Sequence, residues 1–107
     1  MDATAVLSPG DRLGEYVVEQ QVRDRDRVMV YSGSDPSVGR NVALYVAKDQ
    51  AGTRAAETFL EYARQLAGIE HPALQPIYAV GTDGTTAFAA ARLSGMPADL
   101  LLRERPL

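Results

Sequence analysis

Between residues 16 and 22 apolar and polar positions alternate loosely, and Val17, Val18 and Val22 favour extended backbone, so a strand is predicted there. The charged run Arg23-Asp24-Arg25-Asp26-Arg27 follows. Val28-Met29-Val30-Tyr31 reads as a second strand, and the pair suggests a hairpin. Residues 33–39 are rich in Gly, Ser, Asp and Pro and predict a turn. Residues 41–47, Asn-Val-Ala-Leu-Tyr-Val-Ala, are almost continuously apolar, the pattern of a strand buried on both faces.

Residues 53–67 change period. Phe59, Leu60, Ala63, Leu66 and Ala67 recur at helical spacing and predict an amphipathic helix. Gly68 is placed to cap it, and His71-Pro72 forces an extended exit. Residues 77–80 predict a strand and 81–84 a tight turn. Residues 87–93 form the returning strand, weak in propensity because of its alanines. Residues 97–103 start with Pro97 and predict a short terminal helix. Residues 1–12 contain Ser8-Pro9-Gly10 and read as a flexible N-terminus, leaving 13–107 as the domain.

The expected fold is therefore α+β, an antiparallel sheet of about five strands with one long helix on a face that forms the main core. Val18, Val30, Ala43, Leu44, Phe59, Leu66, Ile77 and Val80 are its expected core positions. The chain has 107 residues, 46% apolar and 23% charged, with a net charge of −3. That charge gives no general attraction to nucleic acid or an anionic membrane. There is no cysteine, which excludes disulfides and thiolate metal sites, and His71 is the single histidine. No metal site is expected. A soluble, cytoplasmic domain is the default expectation, since no apolar run approaches a membrane span and residues 1–7 lack the pattern of a signal peptide.

Several pieces together bear a family likeness from about residue 7 to 107. They are Leu13-Gly14-Glu15-Tyr16, then Val30-Tyr31 with Asp35-Pro36 and Gly39-Arg40, then Val42-Ala43-Leu44-Tyr45-Val46. Phe59-Leu60, Ala63-Arg64, Leu66-Ala67, His71-Pro72, Tyr78-Ala79-Val80-Gly81, Gly95 and Leu100-Leu101-Leu102 complete the order. The chain resembles the N-terminal lobe of a bacterial Ser/Thr protein kinase in a degenerate, pseudokinase-like form. The resemblance implies a small-lobe fold with its regulatory helix over 53–67 and no large lobe within the chain.

The departures from the family pattern bear on activity. The phosphate-covering hairpin carries Gly-x-Gly-x-x-Gly in the family, and those places here hold Arg23, Arg25 and Val28. The lysine of the third strand is replaced by Tyr45, and the helix glutamate that would orient it by Tyr62. A one-residue shift would offer Glu61, but it breaks the match at Phe59, Ala63 and Leu66. No His-Arg-Asp and no Asp-Phe-Gly occurs. Of the adenine pocket, the resemblance leaves Val22, Val30 and Ala43 as lining, Ala90 at the gatekeeper place, and Ala91, Arg92 and Leu93 as hinge. No catalytic residue and no bound cofactor is expected, and ATP binding is not expected.

Bland structural roles account for most of the remaining features. Tyr45 and Tyr62 would pack together in the space vacated by an ion pair. The alternating charges of residues 23–27 would form a solvated, self-compensating tip. Glu57, Glu61 and Glu70 suit a solvated helix face. The expected function is that of a non-catalytic interaction or regulatory module. It would contact a protein partner or form a homo-oligomer through Ala89, Ala91, Leu93, Leu100 and Leu101, which a large lobe would otherwise cover. Two alternatives stand beside it. One is the small lobe of a split or larger kinase with its large lobe downstream or in trans. The other is a small-ligand sensor using a residual cleft.

Overall fold

The computed structural model describes residues 7–68 and 76–92, which hold six strands and one helix. Strands β1 (Arg12–Leu13), β2 (Tyr16–Asp24), β3 (Val28–Asp35) and β4 (Arg40–Gln50) precede helix α1 (Arg54–Ala67). Strands β5 (Ile77–Asp83) and β6 (Thr86–Arg92) follow it. All pairings are antiparallel, in the order β1-β2-β3-β4-β6-β5.

The apolar run of β4 lies at the centre. All six residues from Val42 to Ala47 are buried. Successive side chains of a strand face opposite sides, so β4 feeds two cores. Val42, Leu44 and Val46 join Leu13, Tyr16, Val18, Tyr31, Phe88 and Ala90 on one side. Ala43, Tyr45 and Ala47 join Val28, Val30, Ala87, Ala89, Ala91 and the buried face of α1 on the other. Only the helix side was expected to carry the main core.

The second core exists because the sheet curls. β1 and β5 lie at opposite edges. Nevertheless Gly14, in the turn after β1, donates its N–H to Asp83 Oδ2 at 2.6 Å, at the end of β5. The Tyr16 and Phe88 rings meet edge to face, 6.3 Å between centroids. Gly14 is at φ 59, the left-handed region that a two-residue hairpin turn requires and glycine adopts freely. The two edges together enclose the apolar side chains that a flat sheet would expose.

Helix α1 begins at Thr53, whose side chain accepts the Ala56 N–H at 3.2 Å. Thr53 leaves one orphan donor satisfied, and Glu57 adds a negative charge in the first turn. Ala56, Phe59, Leu60, Ala63 and Leu66 are its buried positions. Gly68 caps the end in a right-handed conformation, φ −85, so its glycine identity is not required by backbone geometry there.

Three expectations need correction. Residues 7–12 are not loose: Gly10 N–H donates to Val18 O at 2.8 Å, Val18 N–H to Asp11 O at 2.7 Å, and Leu7 N–H to the buried Tyr31 hydroxyl at 3.0 Å. This strap supplies part of the curled side's cover, with Leu7 packed on the cluster. Gly33, Ser34 and Asp35 belong to β3 and not to a turn. The turn is residues 36–39, fixed by Asp35, whose Oδ1 accepts from Ser37 N–H and Oγ. The sixth strand is β1, too short to show in the sequence pattern. Of the expected core, Ile77 and Val80 are half-buried and the other six positions are buried. Residues 97–103 lie outside the described residues, as do residues 1–6.

Gly33 is in the strand because nothing larger fits. A Cβ there would lie 2.5 Å from Val17 O and 2.8 Å from Leu44 Cδ1. Gly33→Ala is expected to cost about 1–3 kcal/mol by overpacking. Chemical denaturation measures it, and an unchanged midpoint would contradict the close approach. Tyr16 provides a second check. Burial first, then the negative charges of Asp35 and Glu15, raise its pKa above 10.0. The folded protein therefore holds this proton more tightly than the unfolded chain does. The resulting stability is complete below pH 10 and is lost as pH rises through the folded pKa. Tyr16→Phe is expected to flatten that alkaline decline in a pH series of denaturation curves.

Candidate functional site

The positions that would handle a nucleotide converge on the helix side of the sheet and the tip of the β2–β3 hairpin. Tyr45 sits in the middle of β4, 2% exposed. Across the sheet it pairs with Val30 on β3 and Ala89 on β6. Tyr62 reaches the same apolar cluster from α1, half-buried. The structure thus brings Tyr45 and Tyr62 into one core. Glu61 is exposed on the solvent side of α1, so the helix presents Tyr62 and not Glu61 to the sheet.

The hairpin tip is closed tightly. Arg25 N–H donates to Val28 O at 2.8 Å. Val28, which the resemblance sets at one of the three glycine places, is buried in the helix-side core. The tip is also tied sideways to β4. Lys48 N–H donates to Arg27 O at 3.0 Å, and Lys48 Nζ pairs with Asp24. Lys48 was not singled out in the sequence, because a lysine three residues beyond Tyr45 matches no motif. It does not replace the missing strand lysine: position 48 has the opposite strand parity from Tyr45, and its ammonium is engaged with Asp24.

A phosphate cradle needs close backbone approach and a free cation. Here side chains stand at residues 23, 25 and 28, and the cation position is a buried phenol ring. Among the described residues no group of three or more His, Asp or Glu side chains could hold a metal ion. Of the expected adenine lining, Val30 and Ala43 are buried inside the domain while Val22 is half exposed.

Ala90, expected at the gatekeeper place, does not face the helix side. It lies in the curled-side core. Ala91 faces the helix side, directly across from Ala43. A one-residue displacement moves a side chain to the other face, and the run Ala89-Ala90-Ala91 offers no sequence landmark to fix it. The expected interface is corrected as well. Ala89 and Ala91 are fully buried under α1, so they present no surface. Leu93, Leu100, Leu101 and His71 lie outside the described residues.

The described architecture is the small-lobe fold of protein kinases, and in sequence the chain is similar to the N-terminal lobe of a bacterial Ser/Thr kinase. It is 32% identical over 95 residues to the DNA damage-responsive serine/threonine-protein kinase RqkA of Deinococcus radiodurans. The match covers 85% of this chain and 14% of that protein. The apo form of PpkA-294 superposes with a TM-score of 0.68 at 20% identity, over 94% of this chain and 43% of its own. A double mutant of the Mycobacterium tuberculosis PknI kinase domain gives 0.68 at 19% identity, over 82% and 36%. The chain therefore spans less than half of each of these relatives. No family model matches it.

The tyrosine pair generates a direct test. Tyr45→Lys introduces a buried cation into an apolar cluster, at an expected cost of about 3–5 kcal/mol. Adding Tyr62→Glu supplies the counter-charge, and the double variant is expected to recover part of that loss. Denaturant midpoints of the three proteins measure it. A Tyr45→Lys variant as stable as the parent would show that position 45 is not packed as described.

Proposed function

We propose that this chain is a non-catalytic, pseudokinase-like module that acts through protein contacts. The reading rests on one observation: Tyr45, which the resemblance sets at the place of the phosphate-pairing lysine, is buried between Val30, Ala89 and α1. Phosphoryl transfer depends on charges positioned around phosphates and metal ions. A packed phenol supplies none. The closed tip at Arg25 and Val28 points the same way, because it removes the bare, mobile backbone that covers phosphates.

A second reading is favoured by a different observation. The chain corresponds to only 14% of the Deinococcus radiodurans kinase, so it also suits the small lobe of a longer kinase or pseudokinase. Catalytic-loop motifs in the reading frame beyond Leu107 would favour it. The domain is proposed to work in aqueous solution and the cytoplasm, and no helix among the described residues is long and apolar enough to cross a membrane.

Thermal unfolding with and without ATP and Mg²⁺ tests the non-catalytic reading. No change in Tm is expected at millimolar ATP. A rise of several degrees, which ligand binding to the folded state produces by mass action, would overturn it.

A further inference from the structure

Arg40 opens β4 and is exposed. Strand parity sets it on the curled side with Val42 and Leu44. Its guanidinium carbon lies 3.9 Å from the ring centroid of Tyr78 on β5, although β6 separates the two strands in the sheet. The stack therefore bridges the curl at one end of its core, against which Tyr78 packs. The natural ion partner of Arg40 is Asp35, directly opposite in the β3–β4 register. Asp35 is occupied otherwise. It is buried, and its Oδ1 accepts from both the N–H and the hydroxyl of Ser37. Among the described residues the Arg40 guanidinium has the Tyr78 ring and no ion pair or hydrogen bond.

Stacking uses the face of a guanidinium and leaves its N–H edge for a planar acceptor, a carboxylate or a phosphate. A ring that already fixes the side chain lowers the ordering cost of such a contact. The surrounding charges choose between the two anions. Asp35, Glu15, Arg40 and Tyr78 all act on Tyr16, so they share one neighbourhood. The two carboxylates oppose a phosphate dianion about twice as strongly as a single negative charge. Tyr16, with its pKa raised, stays neutral near pH 7 and adds no repulsion.

We infer that Arg40, seated on Tyr78, is a docking point for a carboxylate side chain of a protein partner. The inference rests on the interaction-module reading and supplies the chemistry of its partner, a segment that presents Glu or Asp to this end of the curled sheet.

The arginine Nε–Hε signals of the ¹⁵N-labelled chain report binding in an NMR titration. The probes are capped Gly-Gly-Glu-Gly-Gly, its Gln counterpart and its phosphoserine counterpart. The Glu peptide is expected to shift the Arg40 signal saturably at millimolar concentration, the Gln peptide not at all, and the phosphoserine peptide more weakly. Arg54 and Arg64, exposed on α1, serve as internal controls and are expected not to saturate. Arg40→Lys keeps the charge, loses the fork and is expected to weaken binding about fivefold. Tyr78→Leu removes the ring at an expected loss of about threefold, and Tyr78→Phe keeps the ring and the affinity. Circular dichroism checks each fold. No saturable shift at Arg40, an equal response at Arg54 and Arg64, equal binding of the Gln peptide or tighter binding of the phosphoserine peptide would each overturn the inference. So would Arg40→Lys or Tyr78→Leu binding like the parent, or Tyr78→Phe failing to bind. Thermal unfolding of the same samples with ATP and Mg²⁺ keeps the two readings apart. A rise in Tm with Glu-peptide binding intact removes only the non-catalytic reading, whereas an unmoved Tm without peptide binding removes only the site at Arg40.

Discussion

Strand β4 has no solvent face along its central six residues, and most of the architecture follows from that. Alternate side chains must be covered from opposite sides. On one side α1 supplies the cover, with Ala56 and Ala63 close against the alanines of β6. On the other the sheet has no helix, so it curls until Phe88 of β6 meets Tyr16 of β2. A single strand thereby couples two cores. Damage on either side is transmitted through the backbone that both share.

Closure of the curled side depends on contacts between residues far apart in sequence. Gly14 and Asp83 are separated by 69 positions and Leu7 and Tyr31 by 24. Ordering such long loops costs chain entropy that grows slowly with length, and each contact is a single hydrogen bond of modest net worth, about 1 kcal/mol. The apolar burial around Leu13, Val18, Leu44 and Val46 therefore carries the energy, while the hydrogen bonds fix where the edges meet. The short β1 acts as a clip in this design, with its glycine turn aimed at Asp83.

The elements with strong periodicity were legible in the sequence. The run at 41–47 announced a doubly buried strand, and the spacing of Phe59, Ala63 and Leu66 announced α1 within one residue of its start. Tyr45 and Tyr62 could be placed opposite each other once strand and helix were aligned with a kinase small lobe. Gly33 was misread because a glycine beside serines and a proline looks like a turn, whereas here it marks a close backbone approach that only a packed structure displays. The alanines of β6 were misread because small residues give no hint of which face they serve; Ala87, Ala89 and Ala91 face α1 while Ala90 lies in the other core. Asp83, Lys48 and the strap were silent, since long-range polar ties leave no periodic trace.

The exchange of an ion pair for two phenols has an energetic logic. A buried lysine–glutamate pair must recover the cost of desolvating two charges, and replacing such pairs by packed apolar side chains is often neutral or stabilising. Tyr45 and Tyr62 escape that cost and extend the core already formed by Phe59, Leu66, Val30 and Val80. The seat of α1 then draws on the packing of this apolar cluster. The tip at Arg25 and Val28 is likewise held by β4 through Lys48, and not by phosphates. Helix and hairpin tip are thus both tied to β4, one by side-chain packing and the other by hydrogen bonds and an ion pair.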